Sequence, residues 1–222
     1  MPVPDLVIIV PMLRRAHRVA PLIESVTTAT LCDHRILFVA TAGDTAVIDA
    51  VGQSGCDMEV IRHNSVGDYA KKINAGYRNS TEPFIFLGAD DLAFHSGWFE
   101  AAVRHFADPA VGVVGTQDLA NRRVIAGTHA THSLVKRDYV DQFGTIDEPG
   151  KILHEGYFHE FVDDEFVGTA QLRGAFRFEH LSIVEHLHPI VGKAPSDEMY
   201  EQSSLRMSRG APIYRRRQRL WM

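Results

Sequence analysis

The stretch Phe84-Ile85-Phe86-Leu87-Gly88-Ala89-Asp90-Asp91 joins four consecutive apolar residues to two adjacent carboxylates. A short apolar run beside a turn predicts a strand buried on both faces of a parallel sheet. Asp90 and Asp91 then lie at the carboxyl edge of that strand, where open α/β sheets bind ligands. Neighbouring carboxylates repel each other unless they are neutralised, and Mg²⁺ and Mn²⁺ prefer oxygen ligands. The stretch therefore predicts either a divalent-metal site for a phosphorylated ligand or an Asp-Asp turn that only ends a strand.

The composition is that of an ordinary globular domain. The 222 residues are 45% hydrophobic and 23% charged, which suffices for one sizeable core. The net charge of −5 argues against general nucleic-acid binding. We expect no leader peptide and no transmembrane segment, because no run of about 18 apolar residues occurs. The only cysteines are Cys32 and Cys56, outside any metal-binding spacing, which is typical of a cytoplasmic protein.

Strand-like and helix-like segments alternate up to the acidic pair. Apolar runs predict strands at residues 5–10, 35–40 and 58–61, and the stretch quoted above supplies the fourth. Helical spacing of apolar residues predicts helices between them at residues 19–28, 45–51 and 69–77. This order indicates an α/β fold with a mostly parallel central sheet, right-handed crossovers and flanking helices.

The second half of the chain is less regular. We expect helices at residues 97–106, 136–143 and 163–174, strands at 111–115 and 181–188, and weaker β-like pieces at 124–125 and 133–135. One domain is predicted over residues 1–192, followed by a C-terminal extension, 193–222, that packs on the domain or mediates contacts. Its arginines are expected in a solvated tail, or against an acidic partner, a membrane surface or a second subunit: Arg215, Arg216, Arg217 and Arg219.

Two histidines near the last predicted strand, His186 and His188, form the second chemical motif. Residues two apart on a strand point to the same face, so both imidazoles are expected to reach one site. Imidazole is a common ligand of divalent transition metals. A single histidine on a strand is usually an ordinary core or surface group, whereas a pair before a proline favours metal binding.

Three consecutive acids, Asp163-Asp164-Glu165, begin a predicted helix. Acids at a helix start complement the macrodipole and cap free amides, which accounts for one or two of them. The functional alternative is that one carboxylate faces a cleft and takes a proton from an incoming hydroxyl.

Charged residues near strand ends are candidates for holding a nucleotide. Basic groups there suit a diphosphate, and an acid accepts hydrogen bonds from a base or a ribose. For any one of them a solvated surface position is the alternative. The glycines do not form a P-loop or a dinucleotide-binding fingerprint. The candidates are Arg14, His17, Asp44 and Lys72.

In combination, these motifs resemble the nucleotide-sugar-binding half of GT-A glycosyltransferases, and most closely the family 2-type enzymes. Asn74-Ala75-Gly76 followed by residues 84–91 is similar to the family's N-x-G, apolar strand and D-x-D run. Residues 163–174 resemble its E-D…R…G helix, whose acid is the expected base. His186 or His188 resembles the late histidine that completes the metal site in several such enzymes. The resemblance covers about residues 7–188.

The resemblance implies a metal-dependent, inverting transfer of a sugar from a nucleoside diphosphate sugar, with UDP expected, to a hydroxyl acceptor on a protein, a glycan or another molecule. It implies Mn²⁺ or Mg²⁺ held by Asp90 or Asp91 with His186 or His188. Asp164 is the expected base, with Asp163 second. The remaining expectations are donor binding by Arg14, Asp44, Lys72 and Asp90, and an acceptor side lined by His129 and His132. The Gly-Trp at 97–98 and the His-x-His-Pro at 186–189 also resemble small phage-encoded members, which implies the host cytoplasm.

The chain departs from the family pattern at three places. Gly88 stands where D-x-D begins, Asp163 is shorter than the usual Glu, and an acidic run after the second strand is reduced to residues 42–44. Two other functions therefore stay open: a sugar-phosphate nucleotidyltransferase, which releases pyrophosphate, and a non-catalytic carbohydrate- or nucleotide-binding protein with a degenerate site. A homo-oligomer is a further expectation.

Overall fold

The computed structural model describes residues 5–62 and 67–222. Its strands are β1 (Leu6–Pro11), β2 (His34–Thr41), β3 (Asp57–Ile61), β4 (Phe84–Leu87), β5 (Leu92–Phe94), β6 (Val113–Gln117), β7 (Ser133–Lys136) and β8 (Phe176–His186). Its α-helices are α1 (Val19–Ala29), α2 (Thr45–Ser54), α3 (Tyr69–Arg78), α4 (Trp98–Val103), α5 (Arg122–Ile125), α6 (Arg137–Gln142), α7 (Val162–Leu172), α8 (Glu198–Glu201) and α9 (Ser203–Arg217).

The strands form one mixed sheet in the order β3-β2-β1-β4-β7-β6-β8-β5. The first four strands of that order are parallel, as their β-α-β sequence predicts, with Ile9 of β1 opposite both Leu37 and Leu87. β6 and β8 are also parallel, while β7 and β5 pair only with antiparallel neighbours. The α/β fold with its helix-flanked central sheet is confirmed, and β1 is an inner strand with both neighbours parallel.

Apolar side chains cover both faces of the sheet. Leu6, Ile8 and Val10 of β1 pack into a core with α1, α2 and α4. Val7 and Ile9, which point the opposite way, pack into a second core with α3 and α7. Because consecutive strand residues face opposite sides, a strand buried on both faces has to be apolar throughout, and β1 is.

Three segments differ from what the sequence predicts. Residues 124–125 lie in the short helix α5, not in β structure, because the Asn121 side chain accepts a hydrogen bond from the Arg123 amide and starts a helical turn. Strand β5 directly follows the acidic pair. Strand β8 begins at Phe176, five residues before the predicted start at 181; the charged Arg177 and Glu179 in this part of the strand hide its apolar pattern.

The C-terminal helix α9 is joined to the domain by an ion-pair network around the buried Arg217. Arg217 donates to both oxygens of Glu165 at 2.7 and 2.8 Å and to both oxygens of Asp147 at 2.7 and 2.9 Å. Tyr157 donates a further hydrogen bond to Glu165, whose side chain is 4% exposed. Arg217 is thus a structural residue, whereas Arg215, Arg216 and Arg219 are exposed.

We expect Arg217→Met to lower the free energy of unfolding by about 3–5 kcal/mol, because it leaves the buried Glu165 carboxylate without its cation. Urea denaturation followed by circular dichroism measures the change. Arg216→Met is the matched control, since Arg216 is exposed one position away, and a change within about 0.5 kcal/mol is expected there. Equal losses in the two variants would contradict a special role for the Arg217 network.

Two further features of the structure relate to the composition of the chain: the state of its cysteines and the apolar character of its helices. Cys32 and Cys56 are both free thiols. None of the helices in the described part of the chain combines the length and the apolar character needed to cross a bilayer.

Candidate active site

A cavity of about 250 Å³ opens where β1 and β4 end. Its wall includes both acids of the opening stretch, Asp90 and Asp91, together with Asp163 at the start of α7. His132, His186 and His188 line it too. The cavity therefore joins the carboxyl edge of the parallel strands to residues from the second half of the chain, as expected for a ligand site in an open α/β sheet.

Gly88 is required by the close approach of β1. Its amide donates to the carbonyl of Ile9 at 2.9 Å. A Cβ at position 88 would lie 2.7 Å from that same carbonyl oxygen, which is backbone and cannot move aside alone. An acid at this position, where the family pattern begins its D-x-D, does not fit this backbone, so the acidic pair follows in the turn between β4 and β5.

Arg15 neutralises the acidic pair in this structure. It is 7% exposed, and its Nη1 donates to Asp90 Oδ1 at 2.8 Å and lies 3.6 Å from Asp91 Oδ2. Its Nε and Nη2 donate to the two oxygens of Asp197 at 2.8 Å each. The guanidinium also lies 4.1 Å above the ring of Tyr200, whose hydroxyl donates to Asp91 Oδ2 at 2.6 Å.

Asp91 and His186 are brought together although they are 95 positions apart in the chain, since Leu92 pairs with His186 in the antiparallel β5–β8 ladder. His186 Nε2 lies 3.3 Å from Asp91 Oδ2. His188 is placed differently: its Nδ1 accepts a hydrogen bond from the Ile190 amide, and its ring packs 4.7 Å from that of Tyr200. Of the residues predicted from the sequence, the structure therefore pairs His186 with Asp91.

The charges in this cluster follow from burial and from their partners. Burial raises the pKa of Asp90, and the charge of Asp91 raises it further. Burial also opposes ionisation of Asp91, but the hydrogen bond and charge of His186 hold its pKa below the usual range. Burial alone would lower the pKa of His186, yet Asp91 raises it. Asp91 is thus the ionised acid of the pair, facing an imidazole.

His132 offers an unused nitrogen in the same wall. Its Nδ1 donates to the carbonyl of Leu87 at 2.9 Å, so in the neutral ring Nε2 carries the lone pair. That Nε2 is buried and has no hydrogen-bond partner. Burial lowers the pKa of His132 to about 4, which keeps the ring neutral near pH 7.

The donor set at this place fits a divalent metal ion. A carboxylate and an imidazole at 3.3 Å are spaced like neighbouring ligands of one ion, and the buried His132 Nε2 is a further nitrogen donor nearby. The four residues predicted from sequence do not converge as one group, because Asp90 faces Arg15 and His188 caps a turn. Among the described residues, groups of three potential ligands occur instead at His129–Asp163–Asp164 and at Asp147–Glu148–His154. In the first group Asp164 already pairs with Arg123, and in the second Asp147 already pairs with Arg217.

The two aspartates that start α7 point to different surroundings. Asp163 lines the cavity, and its Oδ2 accepts a hydrogen bond from Nε2 of the buried His129 at 3.1 Å. Asp164 does not line the cavity and pairs with Arg123 at 2.6 Å. Burial works against ionisation of Asp163, but the hydrogen bond from His129 keeps its pKa below the usual value. Burial and the neighbouring charge of Asp163 raise the pKa of Asp164.

The predicted nucleotide-binding residues separate into two groups. Lys72 is buried in the cavity wall, where its Nζ donates to the Met12 carbonyl at 2.7 Å and lies 3.3 Å from Asp68. Arg14 and Asp44 lie outside the cavity: the Arg14 amide donates to Asp44, and its guanidinium pairs with Glu198 at the surface. Arg14 has a left-handed φ of 58°.

Four residues in or beside the cavity were not predicted from the sequence. Arg15 follows Arg14 directly, and no local pattern tells which of the two turns inward. Asp197 and Tyr200 come from the C-terminal extension; the only local indication was a helix start, since Asp197 accepts hydrogen bonds from the amides of Met199 and Tyr200. His159 lines the cavity with a strained φ of 79°, a feature that only the backbone reveals.

The chain belongs to glycosyl transferase family 2, whose sequence model matches residues 7–166. The fold is the GT-A fold of that class, so the resemblance drawn from the acidic stretch is confirmed. No curated protein sequence matches the chain.

Solved structures of two enzymes are similar to it. The mannosyltransferase PcManGT from Pyrobaculum calidifontis, in complex with GDP-Man and Mn²⁺, matches at 15% identity over 97% of this chain and 65% of its own, with a TM-score of 0.66. The chain thus spans about two thirds of that enzyme's length. Glucosyl-3-phosphoglycerate synthase from Mycobacterium tuberculosis, in complex with Mn²⁺, UDP and phosphoglyceric acid, matches at 11% identity over 96% of this chain and 78% of its own, with a TM-score of 0.63.

Proposed function

We propose that this protein is a metal-dependent, inverting glycosyltransferase that moves a sugar from a nucleoside diphosphate sugar to a hydroxyl acceptor. One observation carries the proposal: a carboxylate–imidazole pair, Asp91 with His186, and a separate carboxylate, Asp163, line the same cavity. The first suits a cation that binds a diphosphate, and the second suits proton removal. Family membership supports the same reaction class.

The similar structures support the type of donor and metal. PcManGT is bound to GDP-Man and Mn²⁺, and the mycobacterial synthase is bound to UDP and Mn²⁺. For this chain we propose Mn²⁺ or Mg²⁺ and a nucleoside diphosphate sugar. The preference for UDP, a cytoplasmic location, an origin in a phage and a homo-oligomer stay predictions from the sequence.

In the proposed reaction Asp91 and His186 would hold the ion, whose chemistry when bound would be to neutralise charge on the diphosphate leaving group. Asp163 takes the proton from the acceptor hydroxyl as that oxygen bonds to the anomeric carbon. The bond from this carbon to the diphosphate oxygen breaks at the same time, and its electron pair leaves with the diphosphate. Attack opposite the leaving group inverts the configuration. Lys72, in the cavity wall, is the proposed cation for the phosphates.

We assign the base to Asp163 and place Asp164 second, which reverses the order expected from the sequence. The reason is position: Asp163 faces the cavity, while Asp164 pairs with Arg123 outside it. A base has to come within hydrogen-bond reach of the proton that it removes. His129 donates a hydrogen bond to one carboxylate oxygen of Asp163. In this proposal the other oxygen takes the proton of the acceptor hydroxyl.

The test of the function is a screen of nucleoside diphosphate sugars with Mn²⁺ present, first for thermal stabilisation and then for turnover. We expect at least one donor to raise the unfolding temperature and to be consumed with release of nucleoside diphosphate when an acceptor is added. Release of pyrophosphate from a nucleoside triphosphate would instead indicate a nucleotidyltransferase. Ligand binding without turnover across donors and acceptors would indicate a binding protein.

His129→Ala is expected to move the acidic limb of the pH–rate profile upward by about one to two pH units. The His129 hydrogen bond lowers the pKa of Asp163, so its removal lets that pKa rise. Because the base acts when deprotonated, activity is then lost at a higher pH as the pH falls. The measurement is kcat against pH. His180→Ala, at an exposed histidine, is the control, and an unmoved limb in His129→Ala would contradict the assignment.

A further inference from the structure

A positively charged side chain of the protein itself, Arg15, lies beside the acidic pair. Arg15 makes charge-assisted hydrogen bonds to Asp90 and Asp197, and it is within 3.6 Å of Asp91. Such bonds are short and strong, and these are 2.8 Å long. A guanidinium so placed supplies positive charge to the acids that the proposed metal site needs.

The C-terminal strap, defined as residues 197–200, holds this arrangement together. Both carboxylate oxygens of Asp197 accept hydrogen bonds from the Arg15 guanidinium, and the Tyr200 ring packs against the face of that guanidinium. The Tyr200 hydroxyl donates to Asp91 Oδ2, the same oxygen that faces His186. Arg15 and the strap together thus contact both Asp90 and Asp91.

The strap is held mainly by polar contacts, which include a hydrogen bond from Arg206 to the Met199 carbonyl at 2.6 Å. The Asp197 side chain is 31% exposed, α8 is only four residues long, and none of its residues is buried. The strap also lies outside residues 7–166, the part that matches the family. Within the strap, Glu198 pairs with Arg14 at the surface, and this pair touches neither acid. Little apolar burial therefore opposes its release.

Resting on the proposed function, we propose that Arg15 and the strap 197–200 form an internal cation lock: they occupy Asp90 and Asp91, and a divalent ion has to displace them to bind at Asp91 and His186. Two cations a few ångströms apart repel strongly where little water screens them. The Tyr200 hydroxyl and an ion also require the same oxygen of Asp91. Metal affinity is therefore reduced by the free energy needed to open the lock.

The test measures Mn²⁺ binding to the full chain by electron paramagnetic resonance, without donor or acceptor. Arg15→Met is expected to lower the dissociation constant roughly tenfold, because it removes the competing cation. Tyr200→Phe removes only the hydroxyl that occupies Asp91 and is expected to lower it about threefold. Circular dichroism verifies the fold, and Tyr200→Phe provides the test if Arg15→Met unfolds.

Arg216→Met is the matched control, because it makes the same change of charge at an exposed position of α9, outside the strap. Its dissociation constant for Mn²⁺ should equal that of the wild type. An equal gain in Arg216→Met would reduce the effect to overall charge and overturn the lock, as would unchanged or weaker binding in Arg15→Met and Tyr200→Phe. Wild-type binding with no gain in the variants overturns the lock alone, whereas no Mn²⁺ binding by any form overturns the metal site as well.

Discussion

Asp163→Asn is expected to reduce the rate of sugar transfer by about 10²–10⁴-fold, the usual contribution of general-base catalysis. The amide keeps the size of the carboxylate, and its oxygen still accepts from His129, but it takes no proton from the acceptor. Donor affinity should be unchanged, since the proposed ion and phosphate ligands lie elsewhere in the cavity. Initial rates at saturating donor, together with calorimetric titration of the donor, separate these two effects.

Asp164→Asn is the matched control for that experiment. Asp164 begins the same helix and carries the same charge, but it pairs with Arg123 and does not line the cavity. We expect its transfer rate to stay within a few-fold of the wild type. A large loss in Asp164→Asn with an active Asp163→Asn would restore the order expected from the sequence and remove the basis of our assignment.

Asp91→Asn is expected to have the second large effect, with roughly a 10²-fold or greater loss of transfer and a matching loss of Mn²⁺ affinity. Asp91 is the ionised acid that faces His186 at 3.3 Å, so its removal takes away half of the proposed ligand pair. EDTA should abolish the wild-type activity, and added Mn²⁺ should restore it. Electron paramagnetic resonance reports ion binding independently of turnover.

Variants of His186, the proposed second ligand of the ion, extend this experiment. His186→Ala alone should resemble Asp91→Asn, and the double variant should lose little more, because residues that hold one ion act as a unit. Asp49→Asn, at an exposed acid on α2, is the control and should behave as the wild type. Activity that resists EDTA, or additive losses in the double variant, would argue against a shared ion.

Much of the fold follows from local sequence. The fully apolar runs of β1 and β4, separated by helical segments, predicted the parallel half of the sheet. Where prediction failed, charge or capping masked the pattern. The exposed Arg177 and the buried, ion-paired Glu179 hid the start of β8, and the Asn121 cap overrode the strand preference of Val124 and Ile125. Pairing of β7 and β6 depends on contacts far apart in the chain, which no local pattern encodes.

Local sequence was enough to identify the motifs of the candidate site: two acids after a buried strand, a late histidine pair, and an acidic helix start. Which member of each pair turns inward depends on the tertiary structure. Consecutive residues leave the backbone in different directions, so the left-handed φ of Arg14 and the start of α7 turn Arg15 and Asp163 into the cavity while Arg14 and Asp164 face other partners. Tyr200 reaches Asp91, and Asp197 reaches Arg15, from more than 100 positions away, because folding places the C-terminal segment over the carboxyl edge of the sheet.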